Sequence, residues 1–410
     1  MRLLDCLQLS MEMLMMYVRF ALSPLMLALL ASPVFGADTG SGKILFDTRW
    51  RLESVDDDAF ADSALANTLR ARLGYQTAVH SGWSGVIELE ATQHLFGEDF
   101  NSTANGQTAY PTILDPDNSE LNQAYVRYAP EASSQFTLGR QRLQWDNQRF
   151  FGNVGWRQNE QTFDALDVQH AFKNGLKFRY DYLDRAQRVT GADHPNENLA
   201  RYQLDAHLLA LSGKAGPGTL TGYAHFIDNQ TLPLTSHRNL GLRYTAKKEM
   251  PDGIGWLATA EYAKQDAYAD GAVAIDAHYL LLEGGLVWKS NTFKAGWEQL
   301  GGNGNYGFAT PFATLHAFNG WADKFLNTPV DGLDDAYLSW NRKFGKTTAV
   351  AAWHDYQSDA GSRHYGSEWN VSLAYAFNKH WAGLLKLADY QADTFARDTR
   401  KLWVSVEYVY

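Results

Sequence analysis

Apolar and polar residues alternate in stretches of roughly ten through most of the chain, and the connections between stretches are alternately tight and long. In the stretch 401–410, Leu402, Val404, Val406, Tyr408 and Tyr410 fall on one side of an extended chain, and Lys401, Trp403, Ser405, Glu407 and Val409 on the other. One such face suits lipid and the other suits water. The pattern predicts strands over 44–55, 65–79, 83–95, 121–129, 136–145, 163–171, 176–185, 199–209 and 220–227. It continues over 240–246, 254–264, 277–288, 292–299, 336–344, 347–355, 365–377, 381–389 and 401–410. The count is about eighteen, an even number as a single-chain bacterial barrel requires.

The connections support the same reading. Ser81-Gly82, Lys173-Asn174-Gly175, Ser290-Asn291 and Asn378-Lys379 supply small or amide residues that tolerate tight-turn geometry. The connections between them are longer and polar, the longest being 98–120, 146–161 and 301–331. Loops of that length are uncommon inside a compact soluble domain and normal on the outer side of a barrel, whose short turns face the periplasm. In hydrocarbon every unpaired backbone N–H or C=O costs several kcal/mol, so a spanning sheet must close on itself. The fold expected is therefore all-β, a transmembrane antiparallel up-and-down barrel of about eighteen strands. At that strand number the interior is an aqueous channel unless a loop fills it.

Composition agrees with one barrel domain. The 410 residues are 45% hydrophobic and 13% aromatic, too polar for a bundle of membrane helices but rich in the residues that gird barrels at both interfaces. The formal charge of −10 gives no basic surface for nucleic acid. Near the N-terminus an apolar run over 20–30 follows Arg19 and ends in small residues, the form of an export signal cleaved after Gly36. A start at Met16 gives this signal an ordinary length. The single cysteine, Cys6, precedes the expected mature chain, which leaves no thiol chemistry in the barrel at 37–410.

The chemistry is read from the face turned inward. An arginine at the bilayer midplane costs roughly 2–4 kcal/mol, so charged residues inside strands belong to the lumen. That places Arg49, Arg51, Arg70, Arg72, Arg127, Arg179, Arg201 and Arg243 inside, with Glu88, Glu90, Asp181, Asp205, Glu261, Glu283, Lys294, Glu298 and Glu407. Arg140 and Arg142 share parity with Phe136 and Leu138 and reach the lumen only through a bulge. Such a wall admits two readings. Guanidinium groups can form a ladder of weak sites for carboxylated solutes, or acids and bases can pair across strands and hold a wide barrel round.

Two segments carry a resemblance. The stretch 138–165, LGRQRLQWDNQRFFGNVGWRQNEQTFDA, and the stretch 48–77, TRWRLESVDDDAFADSALANTLRARLGYQT, are similar to the alginate-export family of outer-membrane barrels. The resemblance implies a monomeric eighteen-stranded porin of the bacterial outer membrane whose arginine-lined pore passes an anionic polysaccharide. It assigns pore roles to Arg140 and Arg142, and to Arg149 and Arg157 if the loop at 146–161 folds inward. The interior acids dilute a positive lumen, which keeps small organic anions open as the alternative cargo.

Other motifs carry less. Gly302, Gly304 and Gly307 spell G-x-G-x-x-G with no helix pattern after them, and ADTGSGKI at 37–44 has Ile44 where a phosphate loop needs a hydroxyl. The twelve histidines show no paired ligand spacing, so neither metal nor cofactor is expected. Asp56, Asp57 and Asp58 form an acidic exterior cluster that a divalent ion could bridge to lipopolysaccharide. A rim hydrolase is the reading from a different class, but no G-x-S-x-G elbow is present, and Ser84, His94 and His316 combine only by assuming a geometry. The expectation is a channel, not an enzyme, in contact with outer-membrane lipid.

Overall fold

A computed structural model describes residues 42–250 and 253–410. The proposed signal, its cleavage point, the start at Met16 and Cys6 lie outside the described residues.

The described chain forms eighteen strands: β1 (Gly42–Asp57), β2 (Ala64–Thr77), β3 (Trp83–His94), β4 (Asn118–Glu131), β5 (Ser134–Gln141), β6 (Thr162–Ala171), β7 (Lys177–Gln187), β8 (Arg201–Ala215) and β9 (Gly218–Asn229). The second half comprises β10 (His237–Glu249), β11 (Ile254–Ala267), β12 (Asp276–Trp288), β13 (Asn291–Leu300), β14 (Leu333–Phe344), β15 (Thr347–Gln357), β16 (His364–Ala376), β17 (Trp381–Ala392) and β18 (Thr399–Val409). Each strand pairs antiparallel with its sequence neighbours, and β1 closes on β18 through the register Asp47↔Val409 to Asp57↔Thr399. Closure gives every strand two partners, the condition a sheet must meet in lipid.

The alternation sets the two faces. On β2, Leu73 and Tyr75 are exposed outward while Thr68, Arg70 and Arg72 are buried inward. On β10, Leu240 and Leu242 face out, and Asn239 and Arg243 face in. Near the short turns an outward aromatic row forms, with Trp83 stacked on Tyr128 at 4.4 Å and Tyr128 followed by Phe136. Such a belt marks the headgroup level of the inner interface.

One strand ends well before the limit the pattern predicts. β5 stops at Gln141 rather than running to 145, because Leu143 and Trp145 turn into a buried apolar cluster inside the barrel. The long connections 142–161 and 301–332 contribute Phe150, Phe151, Phe308, Phe312 and Phe325 to the same cluster. The tube is thus filled by its own loops. A connecting bridge pairs Phe151 with Phe312 in parallel, and the Gly152 amide donates to the Phe312 carbonyl at 2.9 Å.

The two faces predict opposite tolerances. Leu242→Arg, on the lipid side, should lower the free energy of refolding into vesicles by about 2–4 kcal/mol, whereas Thr245→Arg, on the water side, should change it by less than about 1 kcal/mol. Equal costs at the two positions in denaturant titrations would show that the faces are misassigned.

Candidate functional site

The lumen is lined by the inward faces of the eighteen strands of the closed sheet together with the two inward loops. Arg49 on β1 meets no carboxylate at ion-pair distance among the described residues. Its guanidinium instead donates to the carbonyls of Gly155 and Trp156, each at 3.1 Å, to the Arg157 carbonyl and to Gln158 Oε1 at 2.9 Å. Arg51 donates to the Trp156 carbonyl at 2.6 Å and lies 4.2 Å over the Trp156 ring. These two arginines therefore hold loop backbone. An irregular loop buried in a barrel needs donors for its carbonyls, and a guanidinium with five N–H groups supplies several at once.

Arg51 also lies 3.6 Å from Asp115, and most of the other inward arginines are matched to acids. Arg70 pairs with Asp47 and with Glu407 at 3.1 Å, and Arg72 with Glu90 and, at 3.4 Å, Glu160. Arg142 joins Glu88 at 2.7 Å and Glu160. From the loop, Arg157 reaches Glu53 at 3.1 Å and Asp323 at 3.3 Å, and Arg149 reaches Glu298 at 2.9 Å. Arg179 sits between Asp167 and Asp181, and Arg243 pairs with Glu261. Arg127 faces inward over the Tyr125 ring with no ion pair among the described residues.

The second loop is pinned by a separate cluster. Burial drives His316 well below its usual pKa. The neutral ring donates from Nδ1 to Asp323 at 2.7 Å and accepts at Nε2 from Lys386 Nζ at 2.7 Å. Lys386 itself lies 4.0 Å over Trp156 and 3.7 Å over Trp321. Asp323 also receives Lys401 at 2.8 Å. The Trp321 and Ala322 amides both donate to Glu368 Oε1. The preceding residue is Gly320 at φ +84°, where a Cβ would collide with Tyr356 Oη and Glu368, so only glycine brings the backbone this close to the wall.

Below the loops the lumen opens toward the short turns. A cavity of about 1010 Å³ reaches from Lys214 and Thr219 near the mouth to Phe318, Asn319 and Trp321 of the second loop. A smaller one of about 420 Å³ lies against β5–β9 beneath Trp145 and Arg179.

The fold matches that of known proteins. The sequence model described as alginate export matches residues 43–285, more than half of the chain. The chain belongs to the alginate-export family. No curated protein sequence matches it. Among solved structures, this alginate-export barrel is similar to OccAB4 of Acinetobacter baumannii, with 15% identity, a TM-score of 0.71, and 90% of this chain and 98% of that one covered. It is likewise similar to OpdL of Pseudomonas aeruginosa, with 14% identity, a TM-score of 0.68, and 91% and 99% covered. OpdK of the same organism, solved with vanillate, gives 12% identity, a TM-score of 0.64, and 90% and 98% covered. At these identities the likeness shows the fold. The protein is an outer-membrane barrel of the porin type, located in the bacterial outer membrane.

Two arginines assigned to the lumen from sequence are elsewhere. β5 pairs with β6 without a break from Ser134↔His170 to Gln141↔Phe163, so no bulge moves Arg140 off the outward face that it shares with Leu138. There it pairs with Asp164, through Nε at 2.7 Å and Nη2 at 3.1 Å. Arg201 is also outward, because Leu204, Ala206 and Leu208 are the buried inner residues of β8, and it meets Glu197 at 3.4 Å. Asp205 is outward for the same reason and lies 3.5 Å from His207. All sit toward the long-loop end, where the lipid-facing cost of a charge falls to about 0–1 kcal/mol. Arg49, Arg51, Arg70, Arg72, Arg127, Arg179 and Arg243 do point inward, and Arg142, Arg149 and Arg157 come in with the loop. The lumenal contacts that sequence parity missed are those of Lys386, His316 and Asp323, since nothing local marks 301–332 as folded into the bore.

Glu160 joins loop to wall and can be tested. Burial alone raises its carboxyl, but the guanidinium groups of Arg72 and Arg142 outweigh that and hold it below the usual carboxylate range. A depressed acid stabilises fully above its unfolded value, near pH 4.3, and loses that contribution as pH falls through the lowered folded value. The loop at 142–161 should therefore resist protease from pH 5 to 8 and open only on stronger acidification. Glu160→Gln, which breaks a buried ion-pair cluster at a cost of about 3–5 kcal/mol, should make the loop cleavable at neutral pH while the barrel stays intact. Unaltered cleavage kinetics would rule out this latch.

Proposed function

We propose that this barrel is a passive channel for small organic anions, short uronates among them, rather than a conduit for long polysaccharide. The observation that carries the reading is the pair of inward loops. They meet at Phe151 and Phe312 and are fastened to β1, β13, β14, β16, β17 and β18 by Arg49, Glu298, Asp335, Glu368, Lys386 and Lys401. A bore filled in this way leaves cavities of a size that takes small solutes. Membership in the alginate-export family supports an anionic cargo. The vanillate solved with OpdK, a small carboxylate, supports the small size.

No covalent chemistry is assigned to it. Ser84 and His94 stand at opposite ends of β3, and His316 is committed to Asp323 and Lys386, so these candidates do not converge. Exterior contact with lipopolysaccharide belongs to the same proposal, supported by the outward charged rim at Arg140, Arg185 and Arg201.

In planar bilayers the refolded mature chain should conduct with a preference for anions. Glucuronate monomers and dimers should interrupt the current, and long oligouronates should neither traverse nor block more strongly per residue. Block that strengthens steadily with chain length, together with recovery of polymer on the far side, would return the cargo to polysaccharide.

A further inference from the structure

Charge compensation is incomplete along the inner wall toward the short turns. In the larger cavity Glu283 is engaged by Lys294 and Tyr337, Glu298 by Arg149, and Asp335 by His354. Arg243 is taken by Glu261, and Lys247 lies 3.1 Å from Glu249. Lys214 is the lining cation left over, with no carboxylate at ion-pair distance among the described residues. In the smaller cavity Arg179 is held by Asp167 and Asp181, and Lys177 is left over in the same way.

The sheet register brings these two lysines together. Lys177 stands opposite Ser212 across β7 and β8, and Lys214 is the next residue on the inner face of β8. Diagonal neighbours of this kind are roughly 7–8 Å apart, within reach of two long side chains. Hydroxyls complete the grid. Ser212 faces Thr221, Lys214 faces Thr219, and Thr219 faces Thr245 across β9 and β10. The carboxylate lining the smaller cavity, Asp146, comes from the inward loop and not from this grid.

We propose that Lys177 and Lys214, with Ser212, Thr219 and Thr221, form an oxyanion subsite on the periplasmic wall that takes the carboxylate of a hydroxylated solute. Two adjacent ammonium groups without a counter-charge repel one another, and an anion placed between them relieves that repulsion. The hydroxyls then match the solute's own hydroxyls. Because both lysines are exposed to lumenal water, binding is weak and exchange fast, as a capture site for a channel requires. The site lies on the short-turn side, so capture favours solute arriving from the periplasm.

The subsite rests on the anion-channel reading, and bilayer recordings with potassium gluconate separate the two. Gluconate added on the short-turn side should block wild type at lower concentration than gluconate added on the long-loop side. In Lys177→Gln/Lys214→Gln the short-side half-blocking concentration should rise about fivefold, the size two exposed ion pairs carry together. Lys177→Arg/Lys214→Arg should keep the wild-type value. Lys343→Gln, which removes another inner-face lysine, on β14, with no carboxylate at ion-pair distance among the described residues, should also leave it unchanged. Unaltered block in the double Gln variant, an equal loss in Lys343→Gln, or symmetric block of wild type overturns the subsite while chloride selectivity leaves the channel standing. A wild type that shows no anion selectivity at all overturns both.

Discussion

Hydrocarbon offers no partner to a backbone N–H or C=O, and the rest of this molecule follows from meeting that constraint. Closure of β1 on β18 satisfies the sheet but creates a wide tube. A wide tube with an empty bore discriminates among solutes poorly, so the functional problem moves to what fills it. Here the filling is loop, and a buried loop has the same unpaired backbone that the sheet has just satisfied. Arg49 resolves this for 155–157 by donating to successive carbonyls, and Glu368 does so for 321–322 by accepting from successive amides. Charged side chains of the wall thus act first as partners for loop backbone.

That role settles how far the lumenal arginines can serve as solute sites. Breaking one partner of a buried pair costs about 3–5 kcal/mol, more than a weakly held, fast-moving solute can supply. Arg157, enclosed by Glu53, Asp115 and Asp323, is therefore structural. Of the two readings that the inward arginines allowed, cross-strand pairing describes the middle of the barrel. Of the arginines in the ladder reading, Arg127 meets no carboxylate at ion-pair distance among the described residues, and Lys177 and Lys214 likewise stand uncompensated on the short-turn side.

Much of this was legible in the sequence, for a physical reason. Period-two alternation is imposed locally by the pleat, so strand number and the inward parity of Arg70, Arg72 and Glu90 could be read residue by residue. Depth was not legible. Arg140 and Arg201 obey the same alternation as their neighbours, yet they sit at the rim, where a charge on the lipid side costs little, so the rule that sends arginine inward loses its force there. The folding-in of 301–332 was illegible for another reason. Its partners Lys386, Lys401 and Glu368 lie more than forty residues away in sequence, and glycine at position 320 looks like any loop glycine until the wall beside it is seen.

The placement of compensated and uncompensated charge also bears on how a solute moves. Within a Debye length of about 8–10 Å a fixed charge is felt through solution, and beyond it salt screens the interaction. The matched clusters around Glu160 and Asp323 present little net field to the bore, so they neither trap an anion nor expel it. The lysines near the short turns do present one, on the exposed stretch of the inner wall. An anion is thus drawn in by the mouth and then released into a nearly neutral constriction. Passage then costs little, because the anion crosses the matched region without taking a partner from any buried ion pair.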